Sequence, residues 1–185
     1  MPRDFDLIVS TYAFREENAI VELTEYLGSV YVVRKQRSLI LLKTPRIDPY
    51  YAVEKIRELI DPFNTNILRV IPVDEVTSCI LQEVAEAIWR LVPVKIGEDE
   101  TFRITIDGYL YKRMEDGTVR RARTRESIEY IAERIDRKVN LSKPDKVVYV
   151  KTVALRGGDY ASITICKPTQ IISTQRMQHE IEASR

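Results

Sequence analysis

The sequence predicts an α+β protein built from two small domains. Three observations carry that prediction. Apolar residues switch repeatedly between strand and helix period along the 185 residues, most segments being bounded by residues that stop or start an element. The order over residues 6–73 is β-α-β-β-α-β. No Gly/Ser-rich or Pro-rich linker and no internal repeat interrupts the chain, so the two parts are expected to pack together and not to hang as beads.

The elements come in order. Asp6 to Ala13 is an apolar run and reads as a buried strand. Arg15 to Leu27 places Ala19, Ile20, Leu23 and Leu27 on one helical face, with Gly28 as the stop. Val30 to Val33 is a short strand, residues 35–38 a polar turn, and Leu39 to Lys43 the returning strand. Pro45 breaks that run. Asp48-Pro49 is a helix start, an N-cap acid followed by proline at the first helical position. Ala52, Val53, Ile56, Leu59 and Ile60 hold helical period until Pro62. Ile67 to Val73 is the fourth strand. This is the split βαβ order of a ferredoxin-like domain, assigned to residues 1–77.

The second part begins with a helix, Cys79 to Val92, closed by Pro93. Phe102 to Asp107 alternates as a half-buried strand. Tyr109–Arg113 and Val119–Arg121 flank Asp116-Gly117, a hairpin signal. Arg125 to Val139 is a helix carrying Ile128, Ile131, Ala132, Ile135 and Val139 inward. Lys146–Leu155 and Tyr160–Cys166 are strands about a Gly157-Gly158 turn. Residues 169–185 read as a polar, loosely held tail.

Composition removes several function classes. Hydrophobic residues at 44% with 31% charged are globular, not disordered. No apolar run reaches the length of a membrane span. The first residues show no apolar signal-peptide core, and a cytoplasmic protein is expected. Cys79 and Cys166 form no CxxC pair and read as buried thiols in a reducing compartment. His179 is the one histidine and sits near the C-terminus, against a histidine-dependent catalytic triad or a multi-histidine metal site. No metal site and no cofactor are expected. The paired carboxylates at 16–17, 74–75, 98–100 and 115–116 all fall in turns or at helix starts, where solvation and the helix dipole account for them. No phosphate-binding glycine loop precedes a helix.

The strongest chemical signal is local charge. The whole chain carries a net +1, yet KRMEDGTVRRARTR over residues 112–125 holds six basic residues against two acids. Screening makes such local density, not the total, decide attraction to a polyanion. Arginines at a helix start oppose the dipole, and an anionic partner resolves the conflict. The alternative is a solvated face whose cations pair with Glu98–Glu100 or with Glu126 and Glu129. Tyr109 and Tyr111, beside the patch, suit either base stacking or strand packing.

The second part resembles the THUMP domain, a tRNA-binding module. The resemblance lies in the helix segment Ser127–Ala132, the string VNLSKPD at 139–145, the strand Val147–Lys151 and the closing strand Tyr160–Ile165. Asn140 stands where the family commonly has Asp, and no arginine follows the first strand until Arg113. The resemblance implies a THUMP domain over residues 78–168 behind the ferredoxin-like domain. The combination, with an opening FDLIVST at 5–11, is similar to the stand-alone THUMP adaptors of tRNA cytidine acetylation. That similarity implies a non-catalytic adaptor. It would bind the acceptor end of tRNA and present it to a separate tRNA acetyltransferase, which forms N4-acetylcytidine. The expected RNA contacts are Arg103, Lys112, Arg113, Arg120, Arg121, Arg123 and Lys143, with Lys151 and Lys167 behind them. The rival reading is a regulatory or structural subunit that binds protein or a small ligand without RNA.

Overall fold

The computed structural model describes residues 4–44 and 46–185. The expected break at Pro45 and the first three residues lie outside that set. The chain divides after Val73 and again after Pro168 into two compact units, the first made of the N-terminal part together with the C-terminal segment.

In the first unit, strand β1 (Leu7–Thr11) leads into helix α1 (Glu16–Leu27), then β2 (Tyr31–Gln36), β3 (Leu39–Lys43), helix α2 (Pro49–Leu59) and β4 (Ile67–Pro72). β1 lies between β3 and β4, β2 pairs with β3, and every pairing is antiparallel. Period-two burial along β1 and β3 sends Leu7, Val9, Ile40 and Leu42 toward α1 and α2, which add Ala19, Leu23, Val53 and Ile56 to the same core. Emptying one of these sites, as in Leu23→Ala, costs about 2–5 kcal/mol by the usual cavity penalty. Asp48 caps α2 as expected, accepting from the Tyr50 and Tyr51 backbone N–H groups at 2.8 and 3.3 Å.

The residues expected to form a loose tail are folded. After a turn at Pro168–Gln170, β12 (Ile172–Ser173) pairs antiparallel with β4, and α5 (Thr174–Ala183) follows. Its anchors are sparse but specific. The Thr174 hydroxyl, fully buried, donates to the Ile67 carbonyl at 2.9 Å, Gln178 donates to the Pro62 carbonyl at 2.6 Å, and Ile172 joins the apolar core. Pairing with an open sheet edge, not a periodic apolar face, decides this segment.

The second unit begins four residues earlier than the boundary at 77–78. β5 (Glu75–Ser78) is an edge strand of the second sheet. The Asp74 carboxylate accepts the Ile165 N–H at 2.7 Å and ties the strand's start to β11 (Gly158–Cys166). Helix α3 runs Leu81–Lys95, so Pro93 does not close it. Pro93 lies on the exposed side, where water can serve the helical carbonyl that a proline leaves unpaired. β6 (Thr101–Asp107) follows, then the hairpin β7 (Leu110–Arg113) and β8 (Val119–Ala122), helix α4 (Thr124–Ala132), β9 (Lys138–Val139) and β10 (Lys146–Leu155). The five-stranded sheet runs β5-β11-β10-β6-β9, with β10 and β9 parallel to β6. Phe102, Ile104, Val148, Val150, Ile163 and Ile165 meet Val84, Ile88 and Ile131 in its core.

Two further elements differ from expectation. α4 stops at Ala132, although apolar spacing continues to Val139, and Val139, expected inward on the helix, is exposed on β9. Ile135 is still buried, but on a turn in which its N–H reaches the Ala132 carbonyl at 3.0 Å. Arg137 then donates to the Ile96 and Gly97 carbonyls beyond α3, which redirects the chain. β2 extends through Lys35 and Gln36, leaving Arg37-Ser38 as the turn, because polar residues pair as readily as apolar ones on an edge strand.

Candidate nucleic-acid interface

The hairpin β7–β8 is held on the second unit by its backbone, which leaves its side chains free to project. The Tyr111 N–H donates to the Cys79 carbonyl at 2.9 Å. The Gln82 side-chain amide accepts from the Arg113 N–H at 3.1 Å and donates to its carbonyl at 2.8 Å. Leu110 faces Ala122 in the pairing, and both are buried in the core. Alternation then brings Lys112 opposite Arg120 on one face and Tyr111 opposite Arg121 on the other. At the tip, Asp116 accepts from the Thr118 N–H and hydroxyl, which holds its carboxyl below the usual range, and Gly117 takes φ 84°.

The local positive charge is largely neutralised. Glu126, in the first turn of α4, chelates the Arg120 guanidinium at 2.9 and 2.5 Å and stands 3.7 Å from Lys112 Nζ. The Arg120 hydrogen bonds hold the Glu126 carboxyl below its ordinary range, and the same bonds push the Arg120 guanidinium up. Arg113 lies 3.7 Å from Glu83, and Arg125 pairs with Glu129 at 2.9 Å one helical turn on. Glu126 and Glu129 thus play the part that the solvated-face alternative gave them, whereas Glu100 does not. It accepts the Gly97 N–H and pairs with Lys146 at 3.2 Å.

Two hairpin-side arginines are left without a carboxylate among the described residues. Arg121 stacks on the Tyr109 ring at 3.8 Å, and that ring is half exposed. Arg123 is exposed as the N-cap of α4, where its side chain makes no capping hydrogen bond. Its carbonyl accepts the Ser127 N–H at 2.9 Å as the first bond of the helix. Tyr111, by contrast, packs on the core, the strand-packing role weighed for both tyrosines.

The remaining expected contacts lie apart from the hairpin. Arg103 on β6 donates to the Leu141 carbonyl at 3.1 Å, and its Nε is buried without a partner. Lys143 is exposed in the VNLSKPD loop, engaged by its backbone N–H alone. That loop explains its own composition. Asn140 Oδ1 accepts from the Ser142 and Lys143 N–H groups at 3.2 and 3.0 Å, and Asp145 accepts from the Thr101 N–H at 2.8 Å, clasping the loop to β6. Lys151 is consumed by Asp107 at 2.7 Å, beside the Tyr149 hydroxyl. Lys167 is exposed at the end of β11.

Of the expected contacts, Arg121 and Arg123 at the hairpin and Lys143 on the 139–145 loop stay exposed with no carboxylate partner among the described residues. One feature that sequence reasoning missed is a row of aromatic and cationic side chains across α3 and α4. Lys112 lies over Tyr130 at 5.6 Å, Tyr130 stacks on Trp89 at 5.9 Å, and Arg134 covers Trp89 at 4.7 Å. Helical spacing placed Trp89 and Tyr130 on separate helices, and nothing in the order of residues said that those helices meet. Both cysteines are free and buried, their thiols pushed up by desolvation to about 11 for Cys79 and about 12 for Cys166.

The chain has a mixed α/β fold that recurs among solved structures. It superposes on PH1313 from Pyrococcus horikoshii with a TM-score of 0.54 at 15% identity, covering 89% of this chain and 55% of that one. A 4-thiouridine synthetase solved as an RNA complex with bound ATP gives 0.52 at 13% identity, covering 89% and 42%. TrmN from Thermus thermophilus gives 0.54 at 13%, covering 88% and 45%. The chain spans about half the length of these proteins, or less. No protein-family model matches it, and no curated protein matches it in sequence.

Proposed function

We propose that this chain is a tRNA-binding adaptor. In this reading the first unit is a ferredoxin-like domain and residues 74–168 a THUMP domain. The protein is not itself catalytic but presents the acceptor end of tRNA to a separate cytidine N4-acetyltransferase in the cytoplasm. The observation that carries the reading is the pair Arg121 and Arg123, left without carboxylates beside the exposed Tyr109 ring. The shared fold supports it, since one protein of that fold was solved with RNA. So does the strand order β4-β1-β3-β2 of the first unit, which is the antiparallel arrangement expected of a ferredoxin-like sheet.

The test is an anisotropy titration with labelled tRNA, an acceptor minihelix lacking its 3′ tail, and a generic RNA duplex. With about four phosphates neutralised, affinity for tRNA falls about 100-fold between 50 and 200 mM salt. An Arg121→Ala/Arg123→Ala variant loses about two units of the salt slope. Equal or absent binding across the three RNAs would move the RNA-free subunit ahead. Acetylation of bound tRNA by a copurifying enzyme tests the second half of the proposal.

A further inference from the structure

The turn between β1 and α1 breaks two local rules at once. Phe14 takes φ 63°, a left-handed conformation that suits glycine, and its side chain is 78% exposed. Backbone preference and solvation both disfavour phenylalanine here, and no packing offsets them. The surrounding geometry is nevertheless fixed. The Glu16 carboxylate accepts the N–H of Ser38 at 2.6 Å and that of Phe14 at 3.3 Å, and the Thr11 N–H donates to the Ser38 carbonyl at 3.0 Å. These bonds lock the turn against the β2–β3 hairpin, where Ser38 is also left-handed at φ 62°. From that hairpin Arg37 places its guanidinium 5.0 Å over the Phe14 ring. Arg15, the N-cap of α1, is exposed and makes no capping bond. Among the described residues neither Arg15 nor Arg37 has an ion-pair partner, whereas the adjacent Lys35 is paired with Glu17.

We propose that this turn is an RNA-binding site of the first unit, in which Phe14 stacks on an unpaired nucleobase and Arg15 and Arg37 take the neighbouring phosphates. The inference rests on the RNA-binding reading above and extends it to a unit where no contact was assigned. A single-stranded segment is the occupant that fits. An aromatic face beside unneutralised arginines matches the alternation of base and phosphate, and stacking accepts any base. The same trio recurs at the second unit's hairpin, with Tyr109 exposed, Arg121 on its ring and Arg123 as an uncapped N-cap.

The test compares the full chain with Phe14→Gly, Phe14→Tyr, Arg15→Ala/Arg37→Ala and Arg121→Ala/Arg123→Ala. The probes are labelled tRNA and a single-stranded oligoribonucleotide containing 2-aminopurine, whose fluorescence falls on stacking. Phe14→Gly weakens binding about 5- to 100-fold and relieves the quench without lowering the unfolding midpoint, so misfolding cannot explain the loss. Phe14→Tyr retains both. Arg15→Ala/Arg37→Ala reduces the salt slope by about two. Wild-type affinity in Phe14→Gly, with Arg121→Ala/Arg123→Ala still impaired, overturns this site and leaves the hairpin reading standing. The converse pattern overturns the hairpin and keeps this site. Absence of RNA binding by the wild-type chain removes both, and a protein-docking role for Phe14 then replaces them.

Discussion

Gly108 shows how one residue carries a turn. It has φ 116° between β6 and β7, and a Cβ there would stand 1.9 Å from Thr152 Oγ1 and 2.9 Å from Thr152 Cβ. Gly108→Ala therefore meets both backbone strain and a contact that must shift. We expect a loss of about 1–3 kcal/mol in urea unfolding, only partly recovered when Thr152→Ala is added, because the φ penalty remains. Full recovery by Thr152→Ala would mean that the backbone strain is negligible. The carboxylates make a second argument at this scale. Glu16, Glu100, Asp116, Glu126 and Asp145 all sit below their ordinary ranges. The leading causes are the backbone N–H groups of Ser38, Gly97 and Thr101 for Glu16, Glu100 and Asp145, the Thr118 hydroxyl for Asp116, and Arg120 for Glu126. A lowered folded value means stability that is present above the ordinary range and lost as pH falls through the folded values. Asp6, raised by burial, contributes the opposite sign. The lowered carboxylates predict a denaturation midpoint that drops on acidification below the usual carboxylate values of 3.8–4.5. A midpoint that holds or rises between pH 5 and 3 would contradict the assignment.

At the scale of the element, α4 and the hairpin β7–β8 form one electrostatic device. Glu126 sits in the first turn of α4, where an acid suits the helix dipole, and it reaches Arg120 and Lys112 of the hairpin. One carboxylate thus restrains the hairpin's charge while fixing its place against α4. Glu126→Gln keeps the side chain's size and an amide oxygen but releases Arg120 and Lys112 from their counter-charge. Its expected effect is tighter RNA binding with a salt slope steeper by about one to two, measured by the same titration, and little change in folding. Weaker binding would show that the ion pair positions the arginine for RNA instead of holding it back. The VNLSKPD segment has a comparable element-scale logic. Asn140 shapes the turn, Asp145 clasps β6, and Lys143 is the cation that the loop leaves exposed, beside an exposed Leu141. Its polar residues build the loop, and Lys143 is the charge that it offers to a ligand.

At the scale of the molecule, the C-terminal segment belongs to the unit that the N-terminus begins. β12 covers the edge of β4, the Thr174 hydroxyl bonds the Ile67 carbonyl, and the Thr169 carbonyl accepts from Arg57. Deleting residues 169–185 reopens that edge and strips Ile172 and Met177 from the first core. We expect a lower unfolding midpoint and a stronger tendency to associate, read by thermal unfolding and light scattering. An unchanged midpoint would reduce the segment to an appendage. The sequence by itself determined the elements whose signals are local. The order β-α-β-β-α-β, the Asp48 cap, the Asp116-Gly117 hairpin and most of the inward faces of α1 through α4 come from period and turn chemistry within a few residues, although Leu59 and Val139, which keep that period, are exposed. It also located the basic hairpin, because charge density is a local count. Only the tertiary structure decided which of those charges remain free. Glu83 and Glu126 reach Arg113 and Arg120 because α3 and α4 pack beside the hairpin, whereas the Arg125–Glu129 pair is local to one turn of α4, and tertiary packing set Arg121 on Tyr109 and Arg37 on Phe14. It likewise turned a polar tail into a strand and a helix. The physical reason is the same in each case. An ion pair, a ring contact or an edge pairing depends on which surfaces meet, and that is settled by burial of the two cores and not by neighbours along the chain.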